Sequence, residues 1–584
     1  MRLAFWALGL GCAAFLAYTT RHHINGDAIA YFDMAEAFRV GAWPGLINLT
    51  YSPGYAILLG SLEKLLPWID ELYLAKGLNF LAFIATMAAC DRLVSSIIPQ
   101  SIETEGISPS PVPGVRVGAG LKPASTDSRP LAGEERTGKD KERPEWGAAF
   151  FPILSAVCYS AFLVASLVWV RLQVVAPDML VFLMLLLGVS ALLRIKSRPD
   201  DFGGFAWLGV IAGLGYVTKT FLLPFSVVFF LLALACSRSL KRAGALVLVG
   251  AAIMAAIAAP LIWAQSFKAG RFSYGEAGNY NYAYFVAGKG ERVHIPRRIH
   301  DDPPVMIYDA TAINTYPPGT DPAYWHLGIR PTIDFKSQLS RFLSNVKDML
   351  GGTALPVAAV LLWFCSQLFK APISPIRIRP PSVSVMLGVI SLLGIGMYCL
   401  IIMELRYVAP FIFLGFVALV CLLDYNGVTF RARDRAILAS WLLVAFLVGT
   451  VVYSCVDQSF RALASSPPKQ SHRQTFMEAQ AVKDWLVDHG VSRGEAVAVF
   501  YPPHDTLRWA RLAGVRVIAE VRDTRAFAEE PAENRINTLD ALRSEGIGAV
   551  VTKRPFAEKL SDEGWNRVDG TKDYYVKLLK NRAP

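Results

Sequence analysis

The residues able to do chemistry in this chain are a few carboxylates and cations set at the edges of long apolar runs. Just past the first run, the stretch from Asn25 to Leu59, NGDAIAYFDMAEAFRVGAWPGLINLTYSPGYAILL, places Asp27, Asp33 and Glu36 ahead of Tyr51 and Tyr55. Asp33 and Glu36, three residues apart, can share a helix face, whereas Asp27 and Asp33, six apart, do not. Further on, Asp178 follows Pro177, seven residues after Arg171, and Lys219 interrupts GLGYVTKTFLLPF. Glu404 and Arg406 stand in MELRYVAPF. A positioned carboxylate can accept a proton from an attacking hydroxyl, and cations can meet negative charge where it develops. Taken singly, each of these residues reads more simply as the polar end of a membrane span.

The elements that must position them are membrane helices. With 584 residues, 53% hydrophobic and only 18% charged, the chain is too long and too apolar for one soluble domain. Its mean hydropathy is +0.38. Apolar runs near the roughly 17–25 residues that span a bilayer recur about eleven times. They cover Leu3 to Tyr18, Lys76 to Ile98, Gly147 to Val170, Asp178 to Leu193, Phe202 to Thr218 and Phe221 to Cys236. Ala243 to Gln265, Thr353 to Phe369, Val383 to Ile402, Tyr407 to Leu423 and Ile437 to Ser454 complete the set. The fold class expected is mainly α: a polytopic bundle of about eleven spans. The first run reads as an anchor, because no small-residue cleavage site precedes the polar segment.

Lys and Arg set the orientation. Arg194, Lys196 and Arg198 fill one short loop; Arg238, Lys241 and Arg242 another; Lys370, Arg377 and Arg379 a third; Arg431, Arg433 and Arg435 a fourth. Counting spans puts all four on one side, which the positive-inside rule makes cytoplasmic. Arg21, His22 and His23 mildly oppose this scheme. The net charge of +11 is then a topology signal, and its dispersal among apolar runs argues against nucleic acid as a partner. The same count sends Asp27, Asp178, Lys219, Glu404 and Arg406 to the outer face together, which suggests an outward-facing polar cavity.

Residues 1–454 are expected to form the transmembrane unit, with an external loop at 266–352 and a cytoplasmic linker at 99–146. The linker is rich in Pro, Gly, Ser and mixed charge and reads as disordered. Residues 455–584 read as a small external α/β domain with a largely parallel sheet, because helical patterns alternate with AVAVF, VRVIAEV and IGAVVT. With no glycine fingerprint and no Walker motif, that domain is expected to be a cap or an acceptor-binding module. The 8 cysteines show no zinc or redox spacing. His294, His300 and His326 match no helical ligand motif.

The acidic residue beyond the first span and the YSPGY element resemble the first external loop of GT-C membrane glycosyltransferases. The likeness is to bacterial relatives of protein O-mannosyltransferases and lipid A aminoarabinose transferases. APDML at 176–180, GLGYVTK at 213–219, RYVAPF at 406–411 and TYPPGTDPAYWHLG at 315–328 agree with it. The usual acidic pair is not adjacent here, since Asp27 is followed by Ala28.

The resemblance implies transfer of a sugar from a polyprenyl-phosphate carrier to a lipid, glycan or protein acceptor at the periplasmic face of a bacterial inner membrane. Asp27 would serve as base, and Lys219 and Arg406 would hold the donor phosphate. Asp178 would position the acceptor, orient a cation, or hold a divalent metal ion with Asp27; some relatives use such an ion and others do not. Tyr51, Tyr55, Tyr316 and Trp325 are candidate substrate contacts. Tyr280, Tyr282, Tyr284, Phe285 and Tyr324 offer further sugar platforms, although an interfacial aromatic belt is the simpler reading. Asp33 and Glu36 are expected on the polar face of an interfacial helix. A transporter of a polar solute or lipid-linked glycan is the rival class, but no internal repeat supports it.

Overall fold

A computed structural model describes residues 1–103, 146–237, 239–288, 296–309, 313–321, 324, 334–368, 373, 381–423, 430–464, 471–500, 507–553 and 555–580. Most of the expected linker at 99–146 therefore lies outside the described residues, as do Trp325, His294 and His326. The helix Glu71–Glu103 takes up the first residues assigned to that linker.

Eight described helices are long and apolar enough to cross a membrane. Three shorter apolar helices, Phe202–Thr218, Leu222–Cys236 and Val383–Cys399, occupy the remaining apolar runs. A helix satisfies every backbone group internally, which is why such runs take that form in lipid. The chain is a multi-pass membrane protein, mainly helical, with one mixed sheet among the described residues.

Two devices pack the bundle. Small residues let backbones touch: a Cβ on Gly209, in Phe202–Thr218, would collide with the Gly250 carbonyl of Leu240–Ala269. Large rings fill the centre, where Phe162, Phe182 and Phe413 meet with centroids 5.5–5.8 Å apart. Those rings come from Trp146–Leu163, Asp178–Ser197 and Leu405–Leu422. Their clustering fixes the helix ends that carry Asp178 and Arg406.

The sheet has strand order β1-β2-β4-β3-β5-β7-β6. Its strands are β1 Arg297–His300, β2 Val305–Ile307, β3 Ala496–Phe500, β4 Arg516–Val521, β5 Ala549–Thr552, β6 Asn566–Arg567 and β7 Tyr575–Leu578. Only β4, β3 and β5 are mutually parallel; every other pairing is antiparallel. The reading of a largely parallel sheet is corrected accordingly. Helical crossovers hold the three middle strands parallel, while close connections add antiparallel strands at the far edge. The opposite edge comes from elsewhere in the chain: β1 and β2, within the loop at 266–352, extend the sheet of the C-terminal region. The last apolar helix also runs past residue 454, to Leu463.

The sheet domain is fastened to the bundle by Arg511. Its guanidinium reaches Glu71 (2.7 Å), Glu36 (2.6 Å) and Asp33 (3.1 Å). Asp33 also receives the Thr315 backbone N–H at 2.9 Å and the Thr315 hydroxyl at 2.6 Å. Asp33 is thus buried, not on an exposed helix face as expected, because a cation from the far end of the chain covers it. Burial pushes Asp33 up to about 6, against the pull of Arg511 and Thr315.

Candidate active site

Asp27 is the N-cap of the helix Ala28–Val40, yet its side chain makes no capping bond. An aspartate there normally accepts from the helix N–H groups. Here the carboxylate accepts from the Tyr51 hydroxyl at 3.3 Å and from Arg406 Nη2 at 3.3 Å. A local preference has been given up to aim the group elsewhere.

Asp178 opens the helix Asp178–Ser197, where the positive end of the helix dipole favours a carboxylate. Lys219 Nζ donates to its Oδ1 at 2.7 Å. Arg406 Nη1 lies 3.5 Å from Oδ2, which has no hydrogen bond among the described residues. Lys219 caps the C-terminal end of Phe202–Thr218, where a cation is favoured. Arg406 stands in the first turn of Leu405–Leu422, where a cation is disfavoured. Its neighbours offset this: Glu404 pairs with Nε at 2.6 Å, and Asp27 and Asp178 flank the two terminal nitrogens. The Tyr407 ring lies beneath both cations, 3.7 Å from Lys219 Nζ and 4.9 Å from the Arg406 guanidinium carbon. Such contacts add to cation binding where water is excluded.

Backbone ties hold the parts in register. Asn25 Oδ1 accepts from the Val175 N–H at 2.8 Å, joining the Asp27 segment to the loop before Asp178. Asn79 donates to the carbonyls of Leu172 and Val174 in that loop. The YSPGY segment lies against Lys219: Ser52 Oγ accepts from the Thr220 N–H at 2.9 Å. A Cβ on Gly54 would stand 2.8 Å from the Val217 carbonyl, so this approach requires glycine.

Together these groups line one cavity of about 1150 Å³. Asp27, Asp178, Lys219, Arg406, Glu404, Tyr51 and Tyr316 all border it. Tyr55 does not. It is 1% exposed and donates to Asn79 Oδ1 at 3.0 Å, so its work is to pack the helix Gly54–Leu65 against Glu71–Glu103. Tyr280, Tyr284, Phe285 and Tyr324 are on the wall. Sequence reasoning missed two wall residues from the sheet domain, Glu520 and Arg522, and their neighbour Tyr308. The available signal was an acidic residue inside the apolar strand VIAEV.

The donor set does not fit a metal. Asp27 and Asp178 are each already opposed by a cation, so a divalent ion would have to displace Arg406 and Lys219 to be held. Among the described residues, no three His, Cys, Asp or Glu side chains form a ligand group.

No protein-family model and no curated protein sequence matches the chain. Solved structures do. ArnT from Cupriavidus metallidurans bound to undecaprenyl phosphate matches with TM-score 0.56 at 12% identity, covering 99% of this chain and 98% of that one. ArnT in the apo state matches with TM-score 0.52 at 13% identity, covering 99% and 97%. The likeness spans bundle and sheet domain alike, and the chain has the GT-C-like fold of ArnT, a lipid A aminoarabinose transferase.

Proposed function

We propose that the protein is a membrane glycosyltransferase that moves a sugar from a polyprenyl-phosphate carrier to an acceptor hydroxyl. The observation that carries this reading is Arg406. One guanidinium touches Asp27 at 3.3 Å and approaches Asp178, the partner of Lys219, at 3.5 Å. A general base and two cations for a leaving phosphate therefore stand within one side chain of each other.

In the reaction, Asp27 takes the proton of the acceptor hydroxyl as its oxygen attacks the anomeric carbon. The bond from that carbon to the phosphate oxygen breaks, and its electron pair leaves with the polyprenyl phosphate. Lys219 and Arg406 meet that charge as it develops. Asp178 orients both cations and is a positioning residue; Tyr51 holds the Asp27 carboxylate. The fold-mate bound to undecaprenyl phosphate supports a lipid-linked donor. An apolar cavity of about 520 Å³, bordered by Trp169, Met349, Pro356 and Ile395, would suit its chain. It shares the helix Val383–Cys399 with the polar cavity, where Met397 and Tyr398 are on the wall.

Orientation rests on one helix. Asp178 begins Asp178–Ser197, and Arg194 and Lys196 end it, so the cavity and a basic loop occupy opposite ends. At about 1.5 Å per residue this helix matches a bilayer core of about 30 Å. Basic loops taken as cytoplasmic support a cavity on the periplasmic face of a bacterial inner membrane. The test is transfer by purified protein from a panel of radiolabelled polyprenyl-phosphate sugars, with and without chelator. The reading expects transfer from at least one donor in both conditions; no transfer from any donor would contradict it.

A further inference from the structure

The wall of the polar cavity formed by the sheet domain is built as a binding surface. β4 ends at Val521, and strand alternation sends Glu520 and Arg522 to the same side. Glu520 is 2% exposed and accepts from the Tyr308 hydroxyl at 2.7 Å and from the Tyr316 hydroxyl. Arg522 Nη2 donates to Tyr308 at 3.1 Å, while its Nε, 3.5 Å from Glu520, has no hydrogen-bond partner among the described residues. A buried carboxylate held by two tyrosines and an arginine costs more than apolar packing would. The domain places this cluster where it borders the cavity.

Charge selects the class of ligand. Among the described residues, five carboxylates line the cavity: Asp27, Asp178, Glu276, Glu404 and Glu520. Four described cations oppose them: Lys219, Arg271, Arg406 and Arg522. The described lining groups are therefore net negative before a donor phosphate adds more, and a second anion would enter against like charge. Uncharged polar groups meet no such barrier. Elsewhere the cavity lining presents Tyr274 and Tyr284, from the segment that follows the helix Leu240–Ala269; they are 43% and 58% exposed, and their rings offer apolar faces beside polar tips.

We propose that the sheet-domain wall and these two tyrosines form the acceptor subsite and that the acceptor is an uncharged saccharide. Its ring faces pack on Tyr274 and Tyr284 while Arg522, fixed by Glu520 and Tyr308, donates to its hydroxyls. The assignment rests on the transferase reading and names the partner of the same site. It gives the sheet domain a direct part in specificity.

The test uses the full chain in lipid nanodiscs, with and without saturating undecaprenyl phosphate. Saturation-transfer NMR titrations compare neutral disaccharides, their 6-phosphates and a serine-rich peptide. The proposal expects at least one neutral disaccharide to bind in the presence of the lipid, and its 6-phosphate more weakly. Arg522→Ala should weaken the neutral ligand about tenfold or more, the effect of one charge-assisted hydrogen bond. Tyr284→Ala, at an exposed side chain where loss of fold is not at issue, should weaken it as well. Preferential binding of the phosphates or the peptide would overturn the proposal, as would unchanged disaccharide binding by both variants. The two isotherms are read separately: loss of the lipid isotherm alone contradicts the donor assignment, and loss of the saccharide isotherm alone contradicts the subsite.

Discussion

Two arginines, Arg406 and Arg511, each gather three carboxylates, and their surroundings differ. Arg511 is 10% exposed, and its nitrogens meet Glu36 and Glu71 at 2.6–2.7 Å and Asp33 at 3.1 Å. Its Nη2 also reaches the Phe32 carbonyl at 3.4 Å. Arg406 borders a cavity, pairs with Glu404 at 2.6 Å but holds Asp27 and Asp178 only at 3.3–3.5 Å, and leaves Asp178 Oδ2 without a hydrogen bond among the described residues. A closed network spends its donors on its own acceptors and joins two parts of a fold. An open one keeps capacity in reserve for a substrate, so satisfaction and access, more than residue type, separate latch from site.

Variants that remove one member of each network sharpen this contrast. Among effects on stability and binding, the largest is expected from Arg511→Ala, which leaves three carboxylates facing one another. A loss of about 3–5 kcal/mol is expected for breaking a buried network. Thermal unfolding and limited proteolysis of the 455–584 region would register it. Wild-type resistance in that variant would dissolve the distinction.

A smaller effect should follow from Lys219→Met on the open side. Losing one charge-assisted contact, worth about 1.5–3 kcal/mol, should weaken undecaprenyl-phosphate binding about 10- to 150-fold with little change in melting. If melting fell as far as in Arg511→Ala while lipid affinity held, the cavity network would be structural. Tyr51→Phe removes a single neutral donor to Asp27 and should slow transfer by about tenfold at most. Rates from single-turnover assays would show it.

The smallest effect is the pH response of the latch. The folded chain holds the Asp33 proton more tightly than the unfolded one, since burial lifts Asp33 to about 6. That contribution to stability is full below the ordinary aspartate range near about 4 and lost as pH rises through about 6. Glu36 runs the other way: Arg511 and Arg493 outweigh its burial and hold it below the usual range. Its contribution is lost only as pH falls through that lowered value. Between about pH 4.5 and 7, then, Asp33→Asn should flatten part of the wild-type gain in melting temperature on acidification. Parallel curves for the two proteins would contradict this.

The two networks were unequally legible in the sequence. Asp27, Asp178, Lys219, Glu404 and Arg406 stood out because a charge at the edge of an apolar run is costly enough to need a reason. Counting spans put them on one face, and one cavity holds all five. Arg511 had no such contrast, being one charge among many in a water-facing region, with Asp33 478 positions away. Asp33 consequently read as solvated. Glu520 left a signal as an acidic residue inside an apolar strand, but its partners did not; Arg522 was hidden for the same reason as Arg511, and so were β1 and β2, short strands inside a long loop whose pairing with β4 is wholly non-local. Patterns of period and hydropathy reach along an element, and tertiary partners lie beyond them.

The central claim is that Asp27 is the base and that its neighbours serve donor charge. The direct test is single-turnover sugar transfer from a radiolabelled polyprenyl-phosphate donor by Asp27→Asn, with melting temperature and undecaprenyl-phosphate affinity measured on the same preparation. Transfer should fall by about 10²- to 10⁴-fold while melting and lipid affinity stay at wild-type levels. Transfer at the wild-type rate by that variant would contradict the account.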